Sequence, residues 1–269
     1  MKLVIDSLRY HVEVCGRGFP LVLLHGFTGD TSTWTSYCDR WGEHSELIIP
    51  DIIGHGKTDA PEFSDRYHIE KEAEDLKKIL EKLGMEQVDI LGYSMGGRLA
   101  LTFSILFPGH VRKLILESAS PGLESEAERE QRRMKDAKLA NFIKEDGISA
   151  FVDYWEGISL FSTMKRLPQA VQESIRNQRL NNSSSGLANS LLGMGTGSQP
   201  SWWQNLKELS CDVLLLTGSE DKKFCGIAKR MLKEVNNGSW MVIENCGHAI
   251  HVEEPEKFGT IVSDFLVNT

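Results

Sequence analysis

The sequence has no long hydrophobic run. No apolar stretch approaches the ~20 residues that a membrane-spanning helix needs, so we expect no membrane span. Residues 1–14 (MKLVIDSLRYHVEV) alternate apolar and polar side chains, unlike the apolar segment of a signal peptide. This alternation predicts a pair of β-strands. We therefore expect the protein to be cytoplasmic.

Cysteine is scarce and odd in number. No two of the five cysteines have the spacing of a metal site. Two of them fall in apolar runs, where a buried thiol behaves as a small hydrophobic group. We therefore predict that all five are reduced and that none binds metal. The five are Cys15, Cys38, Cys211, Cys225 and Cys246.

Positive charge is in deficit. Lysine and arginine total 30 against 38 aspartates and glutamates, a net charge of −8. An acidic surface argues against nucleic acid as a partner. It also makes any inward-facing group of arginines more informative, because the overall field repels anions.

What the chain does have is a regular alternation of short apolar runs with helical patterns. Continuous apolar strands are typical of a parallel sheet buried on both faces, and strand–helix alternation favours a doubly wound α/β fold. Residues 69–83 show helical spacing, and residues 95–107 are apolar all round, which predicts a buried helix. The predicted strands are residues 21–24, 47–49, 88–91, 114–116, 213–216 and 241–243.

The alternation stops between about Pro121 and Trp203. This stretch is rich in charged and then aromatic helical segments and has no parallel-strand pattern. We predict an α/β core from residues 1–120 and 204–269, with residues 121–203 forming a helical cap inserted over the sheet.

The strongest functional signal is the motif at residues 92–97 (GYSMGG). It follows an apolar strand and opens an apolar helix, which is the context a nucleophile elbow requires. Small residues two positions on either side allow the sharp turn that lifts the Ser94 hydroxyl above the sheet. We predict that Ser94 is catalytic, although a GxSxG pattern alone could be an ordinary glycine-rich turn.

Two further segments supply the partners of this serine. His248 follows the last predicted strand, and Asp221 follows the strand before it, in the chain order that this fold uses. Asp221 is predicted to orient the imidazole, with Glu220 as the alternative. His251 is the alternative base, but it is expected inside the next helix.

The loop after residues 21–24 begins with His25-Gly26-Phe27. In this fold that loop and the residue after the serine each supply an N–H group to an oxyanion hole. The predicted donors are the backbone amides of Phe27 and Met95. His25 itself is expected to be structural.

Arginines suggest the charge of the ligand. Arg98 lies one helical turn after Ser94 and should share its helix face. A guanidinium there is costly to bury unless it meets an anion, although an ion pair with a loop acid is the competing interpretation. One or two arginines of the insertion should also face inward, because guanidinium groups suit carboxylates. Tyr154 and Trp155 could line an apolar wall or pack within the insertion.

Several of these segments together resemble a known family. The chain resembles 2-succinyl-6-hydroxy-2,4-cyclohexadiene-1-carboxylate synthase, a menaquinone-pathway lyase of the α/β-hydrolase superfamily. The resemblance covers nearly the whole chain, and the residue after GYSMGG is among its more selective features. The segments that carry it are residues 25–29 (HGFTG), 92–98 (GYSMGGR), 118–123 (SASPGL), 179–182 (RLNN) and 218–224 (GSEDKKF).

The resemblance implies a reaction without a cofactor, in which pyruvate is eliminated from a small tricarboxylate. It implies that Ser94 removes a ring proton, assisted by His248 and Asp221. It further implies substrate contacts from Tyr93, Arg98, Arg132, Trp155 and Arg179, with Arg176 as the rival of Arg179.

Two other functions share these motifs. A carboxylesterase or carbon–carbon bond hydrolase would use Ser94 as a nucleophile and would not need the arginines. A ligand-binding receptor on the same fold would bind without turnover. The substrate is expected to be a small molecule, and the protein a monomer or homodimer.

Overall fold

The computed structural model of the protein describes residues 1–267, which build one eight-stranded sheet. The strand order is β1-β2-β4-β3-β5-β6-β7-β8. The first two strands are antiparallel to their neighbours, and all later pairs are parallel. The strands are β1 Lys2–Ile5, β2 Leu8–Gly16, β3 Phe19–Leu24, β4 Ser45–Pro50, β5 Val88–Tyr93, β6 Val111–Glu117, β7 Asp212–Gly218 and β8 Gly238–Ile243.

Both faces of the central strands are buried, as their continuous apolar sequences predict. In β3, Val22 and Leu24 belong to one hydrophobic core, while Leu21 and Leu23 belong to the core on the opposite face. Because successive side chains of a strand point to opposite faces, both faces must be covered by helices. The α/β-hydrolase-type doubly wound fold predicted from the sequence is therefore confirmed.

Within residues 1–267, ten α-helices flank or extend the sheet. The predicted buried helix α4 packs on β5 and β6 and has α3 beside it. The helices are α1 Ser32–Thr35, α2 Cys38–Trp41, α3 Ile69–Lys82, α4 Met95–Leu106, α5 Glu126–Gly157, α6 Gln169–Leu180, α7 Ser184–Met194, α8 Lys222–Met231, α9 Ile250–Glu253 and α10 Pro255–Val267.

Between β6 and β7 the chain forms helices and the loops that join them, and no strand. A reciprocal Ser125–Glu128 capping box starts α5, and Gly147, with φ of 82°, interrupts it. This region has its own hydrophobic core, in which α5 packs against α7. Phe27, from the loop after β3, also packs against that core. The boundaries of a separate cap, at residues 121 and 203, stay a prediction.

The prediction that all five cysteines are reduced is wrong. Cys15 on β2 and Cys38 at the start of α2 form a disulfide, with Cα atoms 5.9 Å apart. This separation suits a disulfide, and it arises because α2 packs on β2. Cys211, Cys225 and Cys246 are free.

Among residues 1–267, no helix is both long enough and apolar enough to cross a membrane.

Candidate active site

Ser94 occupies a strained turn between β5 and α4. Its φ of 52° and ψ of −105° lie where non-glycine residues are rare. A Cβ added to Gly92 would come within 2.3 Å of the Gly96 carbonyl oxygen, and one added to Gly96 would come equally close to the Leu24 carbonyl. The small residues of the motif are therefore required for strand and helix to approach. Backbone strain of this kind is typical of functional sites.

The structure brings the three predicted triad residues together. The His248 Nε2 atom lies 2.9 Å from the Ser94 hydroxyl oxygen, and its Nδ1 atom lies 2.6 Å from Asp221 Oδ2. His248 and Asp221 are both buried. The other oxygen of Asp221 accepts the Phe224 N–H at the start of α8. The carboxylate is thus held in a position to orient the imidazole toward Ser94.

The two alternative partners lie elsewhere. Glu220 is exposed and pairs with Arg166 at 2.8 Å. His251 lies in the short helix α9, as expected, and its Nδ1 is 2.9 Å from the buried carboxylate of Glu117. Neither is bonded to Ser94 or His248.

Two backbone amides beside Ser94 are available to a ligand. Within residues 1–267, the N–H groups of Phe27 and Met95 make no hydrogen bond. Both residues line the cavity that contains Ser94. His25, two residues before Phe27, is buried and accepts the Ile52 N–H at 3.0 Å, so its ring supports the loop that carries Phe27.

Ser94 and His248 open into a cavity of about 250 Å³ between the sheet and the inserted helices. Of the predicted substrate-binding residues, four line it and Arg179 does not. The four are Tyr93, Arg98, Arg132 and Trp155.

Arg98 meets only uncharged acceptors. Its guanidinium donates to the Met194 carbonyl at 2.6 Å and to Gln199 Oε1 at 2.5 Å. Desolvation, together with the charge of Arg132, lowers the pKa of Arg98 to about 9, and the charge of Asp136 opposes this shift. No ion pair compensates this cation among the described residues, so an anionic ligand would be stabilised here.

Only part of the Arg132 guanidinium is hydrogen-bonded to the protein. Its Nε donates to Asp136 at 2.8 Å, whereas its terminal Nη groups make no hydrogen bond within residues 1–267. Burial raises the pKa of the Asp136 carboxyl, and Arg132 opposes this shift. The free edge of the guanidinium can therefore hold a carboxylate.

Arg179 and its rival Arg176 both lie outside the Ser94 cavity. Arg179 is buried, pairs with Glu156 at 3.3 Å and lies over the Phe161 ring. Arg176 is more exposed and pairs with Asp153 and Glu156. Arg179 instead lines an adjoining cavity, which shares Tyr93 and Phe161 with the Ser94 cavity.

Aromatic rings form the wall of the Ser94 cavity. Trp155 contacts Phe27 and Phe161 with ring centroids 5.4 and 5.7 Å apart. Its indole N–H is buried and has no acceptor within the described part of the chain. Tyr154, in contrast, is exposed and packs against Phe142.

Several cavity residues carried no role in the sequence-based prediction. The signal was present, because they fall in the segments 118–123 and 218–224 that were singled out as motifs. They include Ser120, Gly122, Leu123, Lys223 and Phe224. Within residues 1–267, no cluster of three or more His, Cys, Asp or Glu side chains could hold a metal ion.

The sequence matches the family model of the alpha/beta hydrolase fold over residues 20–255. A Bacillus subtilis (strain 168) protein with the provisional name 2-succinyl-6-hydroxy-2,4-cyclohexadiene-1-carboxylate synthase is 46% identical over 98% of this chain and 97% of its own length. A Photorhabdus laumondii protein named as the same synthase is 30% identical over 91% and 84%. The solved structure of MenH from S. aureus has a TM-score of 0.90 and 36% identity, covering 96% of this chain and 97% of its own.

The chain therefore belongs to the α/β-hydrolase fold family, and it is an enzyme of that class. Within that class it belongs with the 2-succinyl-6-hydroxy-2,4-cyclohexadiene-1-carboxylate synthases, so the predicted family is confirmed.

Proposed function

We propose that this enzyme is a lyase of menaquinone biosynthesis that eliminates pyruvate from 2-succinyl-5-enolpyruvyl-6-hydroxy-3-cyclohexene-1-carboxylate. The names of the relatives support the product, 2-succinyl-6-hydroxy-2,4-cyclohexadiene-1-carboxylate. The observation that carries the proposal is a Ser94–His248–Asp221 hydrogen-bond chain that opens into a cavity with Arg98 one helical turn away.

The reaction balances without a cofactor. The C–H bond at the ring carbon next to the succinyl ketone breaks, the ring double bond shifts, and the bond from the ring to the enolpyruvyl oxygen breaks. The products are a conjugated ring diene and the enolate of pyruvate. The enolate takes up one proton and becomes pyruvate.

Ser94 is the base in this scheme. His248 takes the hydroxyl proton of Ser94 through Nε2, and Ser94 then takes the ring proton. The protonated imidazole, stabilised by Asp221, returns its proton to the departing enolate. Each group thereby regains its starting protonation state.

Negative charge develops on the succinyl ketone oxygen when the ring proton leaves. The free amides of Phe27 and Met95 donate hydrogen bonds to that oxygen. Preorganised donors cost no rearrangement during the reaction, so they favour the enolate over the ketone.

The three carboxylates of the substrate match the positive lining of the cavity. Arg98 and the free edge of Arg132 each bind one carboxylate. Tyr93 and Trp155 shape the apolar wall, and the Trp155 N–H offers a further donor. Arg179 reaches the substrate only if the ligand extends past Phe161 into the adjoining cavity.

A coupled assay tests the proposal. The substrate ring has one double bond and the product ring has two in conjugation, so ultraviolet absorbance should rise together with pyruvate release. We expect Ser94→Ala to lose both signals by about 10³-fold or more. Purified protein that releases no pyruvate from this substrate contradicts the proposal.

A second assay separates the lyase from an esterase. Arg98→Met should impair pyruvate release by roughly tenfold to a hundredfold, and the exposed control Arg17→Met should not. Fast hydrolysis of simple aryl esters that is indifferent to Arg98→Met would instead support Ser94 as a hydrolytic nucleophile.

A further inference from the structure

One cation of the Ser94 cavity has no partner. Arg132 pairs with Asp136, and Arg230 pairs with Glu124 at 2.5 Å. Lys223 also lines this cavity. Within residues 1–267 its ammonium makes no hydrogen bond or ion pair, and its nearest described contact is the Phe224 ring, 5.2 Å from Nζ to the centroid.

Lys223 stands at the rim of the cavity. It is the second residue of α8, two positions after Asp221, and it also lines a neighbouring opening that reaches Asp221 and His248. The side chain is exposed, yet desolvation by the protein around it lowers the pKa of its ammonium. The positive charge of Arg132 also lowers this pKa, and the charge of Asp221 opposes the shift. Two cations therefore line one cavity, and no carboxylate of the described residues forms an ion pair with Lys223.

Repulsion between two like charges is relieved when an anion binds between them. This effect is larger near a protein surface than in bulk water, because the effective dielectric constant is lower there. The chain carries a net charge of −8, so surface acids are plentiful, yet none pairs with Lys223 in the described structure. The arrangement fits a ligand carboxylate.

The position of Arg179 strengthens this argument. A substrate with three carboxylates meets Arg98 and Arg132 in the Ser94 cavity, whereas Arg179 is already paired with Glu156 and lies in the adjoining cavity. The third cation of the Ser94 cavity that is free to bind is Lys223.

We infer that Lys223 is a further substrate-binding residue of this enzyme, which holds one carboxylate of the ligand together with Arg132. The identity of the ligand rests on the proposed function, whereas the binding of a carboxylate by Lys223 does not.

The test compares Lys223→Met with Lys222→Met. Both variants remove one exposed lysine charge from the first turn of α8, but Lys222 lines neither opening. We expect Lys223→Met to raise KM for the proposed substrate by roughly tenfold to a hundredfold, with kcat little changed. Lys222→Met should stay within about twofold of the parent enzyme. Lys223→Arg should restore most of the affinity.

Citrate is a second probe that needs no turnover. We expect Lys223→Met, measured by calorimetric titration, to bind this simple tricarboxylate about tenfold more weakly than Lys222→Met. Equal citrate affinity and equal KM in the two variants would overturn the inference. If the enzyme fails to convert the proposed substrate at all, the proposed function fails and the citrate titration still decides the role of Lys223.

A pH series distinguishes binding from a structural role. A lysine with a lowered pKa loses its charge below the ordinary lysine value, so citrate affinity should fall as pH rises toward that value. The other titratable or charged groups that line this space are Tyr93, Arg98, Glu124, Glu128, Arg132, Glu220, Asp221, Arg230 and His248. They are the same in Lys223→Arg, which should keep its affinity to higher pH. A fall of equal size at the same pH in Lys223→Arg would count against Lys223.

Discussion

Two histidines three residues apart in the sequence, His248 and His251, each pair with a carboxylate at the carboxyl end of the sheet. His248 pairs with Asp221 at 2.6 Å, and His251 pairs with Glu117 at 2.9 Å. Their rings flank Tyr93, with centroid distances of 5.4 Å for His248 and 4.6 Å for His251. All four charged or titratable partners are buried.

The pairs differ in what surrounds the imidazole. His248 presents its second nitrogen to the Ser94 hydroxyl. His251 packs against Trp34, 4.8 Å away, and both its backbone N–H and its ring meet Glu117. We therefore expect reactivity to depend on the group that meets the other imidazole nitrogen. Of these two histidines, only His248 is hydrogen-bonded to the strained serine.

Replacing each histidine by alanine should give opposite results. His248→Ala should lower kcat by about 10³-fold to 10⁴-fold, because Ser94 loses its proton acceptor, with little loss of stability. His251→Ala should leave the buried Glu117 carboxylate unpaired and cost about 3 kcal/mol of the free energy of unfolding. Steady-state rates and urea unfolding of both variants check this. A comparable loss of rate in folded His251→Ala would contradict a purely structural role for His251.

Replacing the two carboxylates by amides should give a smaller difference of the same kind. Asp221→Asn should lower kcat by about 10³-fold, because an amide favours the wrong imidazole tautomer, while its oxygen can still cap α8. Glu117→Gln should instead cost about 1–3 kcal/mol in stability and leave pyruvate release within about tenfold. If Asp221→Asn kept full activity, His248 would not depend on this partner.

Tyr93 separates the two imidazoles, so its substitution tests whether they communicate. Tyr93→Phe keeps the ring between His248 and His251 and removes only the hydroxyl. We expect a rise in KM of less than about tenfold with kcat retained, the loss of one hydrogen bond to ligand. A fall in kcat comparable with that of Asp221→Asn would mean that the hydroxyl takes part in the chemistry.

Glu220 provides the smallest expected effect. It is adjacent to Asp221 but exposed and paired with Arg166, and surface ion pairs contribute little. Glu220→Gln should therefore change kcat and stability by less than about 0.5 kcal/mol in free energy. A large loss of rate would transfer the orienting role from Asp221 to its neighbour.

Local patterns were enough to predict much of the fold. Apolar runs and the GYSMGG turn depend on residues close together in the chain, and the predicted strands, the buried helix and the family are confirmed. The roles of Ser94, His248 and Asp221 remain predictions, although the distances between them suit those roles. Contacts between distant segments were harder to predict. The Cys15–Cys38 disulfide was missed because nothing in an odd set of five cysteines indicates which two meet.

The inserted helices show the same limit. Motif resemblance pointed to Arg132 and Arg179, but their spacing says nothing about which cavity each side chain enters. Arg132 lines the Ser94 cavity. Arg179 instead pairs with Glu156, lies over the Phe161 ring and lines the adjoining cavity. Lys223 belongs to a selective sequence motif, but only the tertiary structure shows that its ammonium has no hydrogen-bond or ion-pair partner among the described residues.

The sequence by itself determined the elbow, the order of the strands along the chain and the kinds of side chain available, because backbone sterics and hydrophobic periodicity act over a few residues. The packing of the inserted helices over the sheet decided which cations share the space above Ser94, which imidazole faces that serine and which thiols pair. These outcomes depend on long-range packing, in which the position of each side chain is set by residues far from it in the chain.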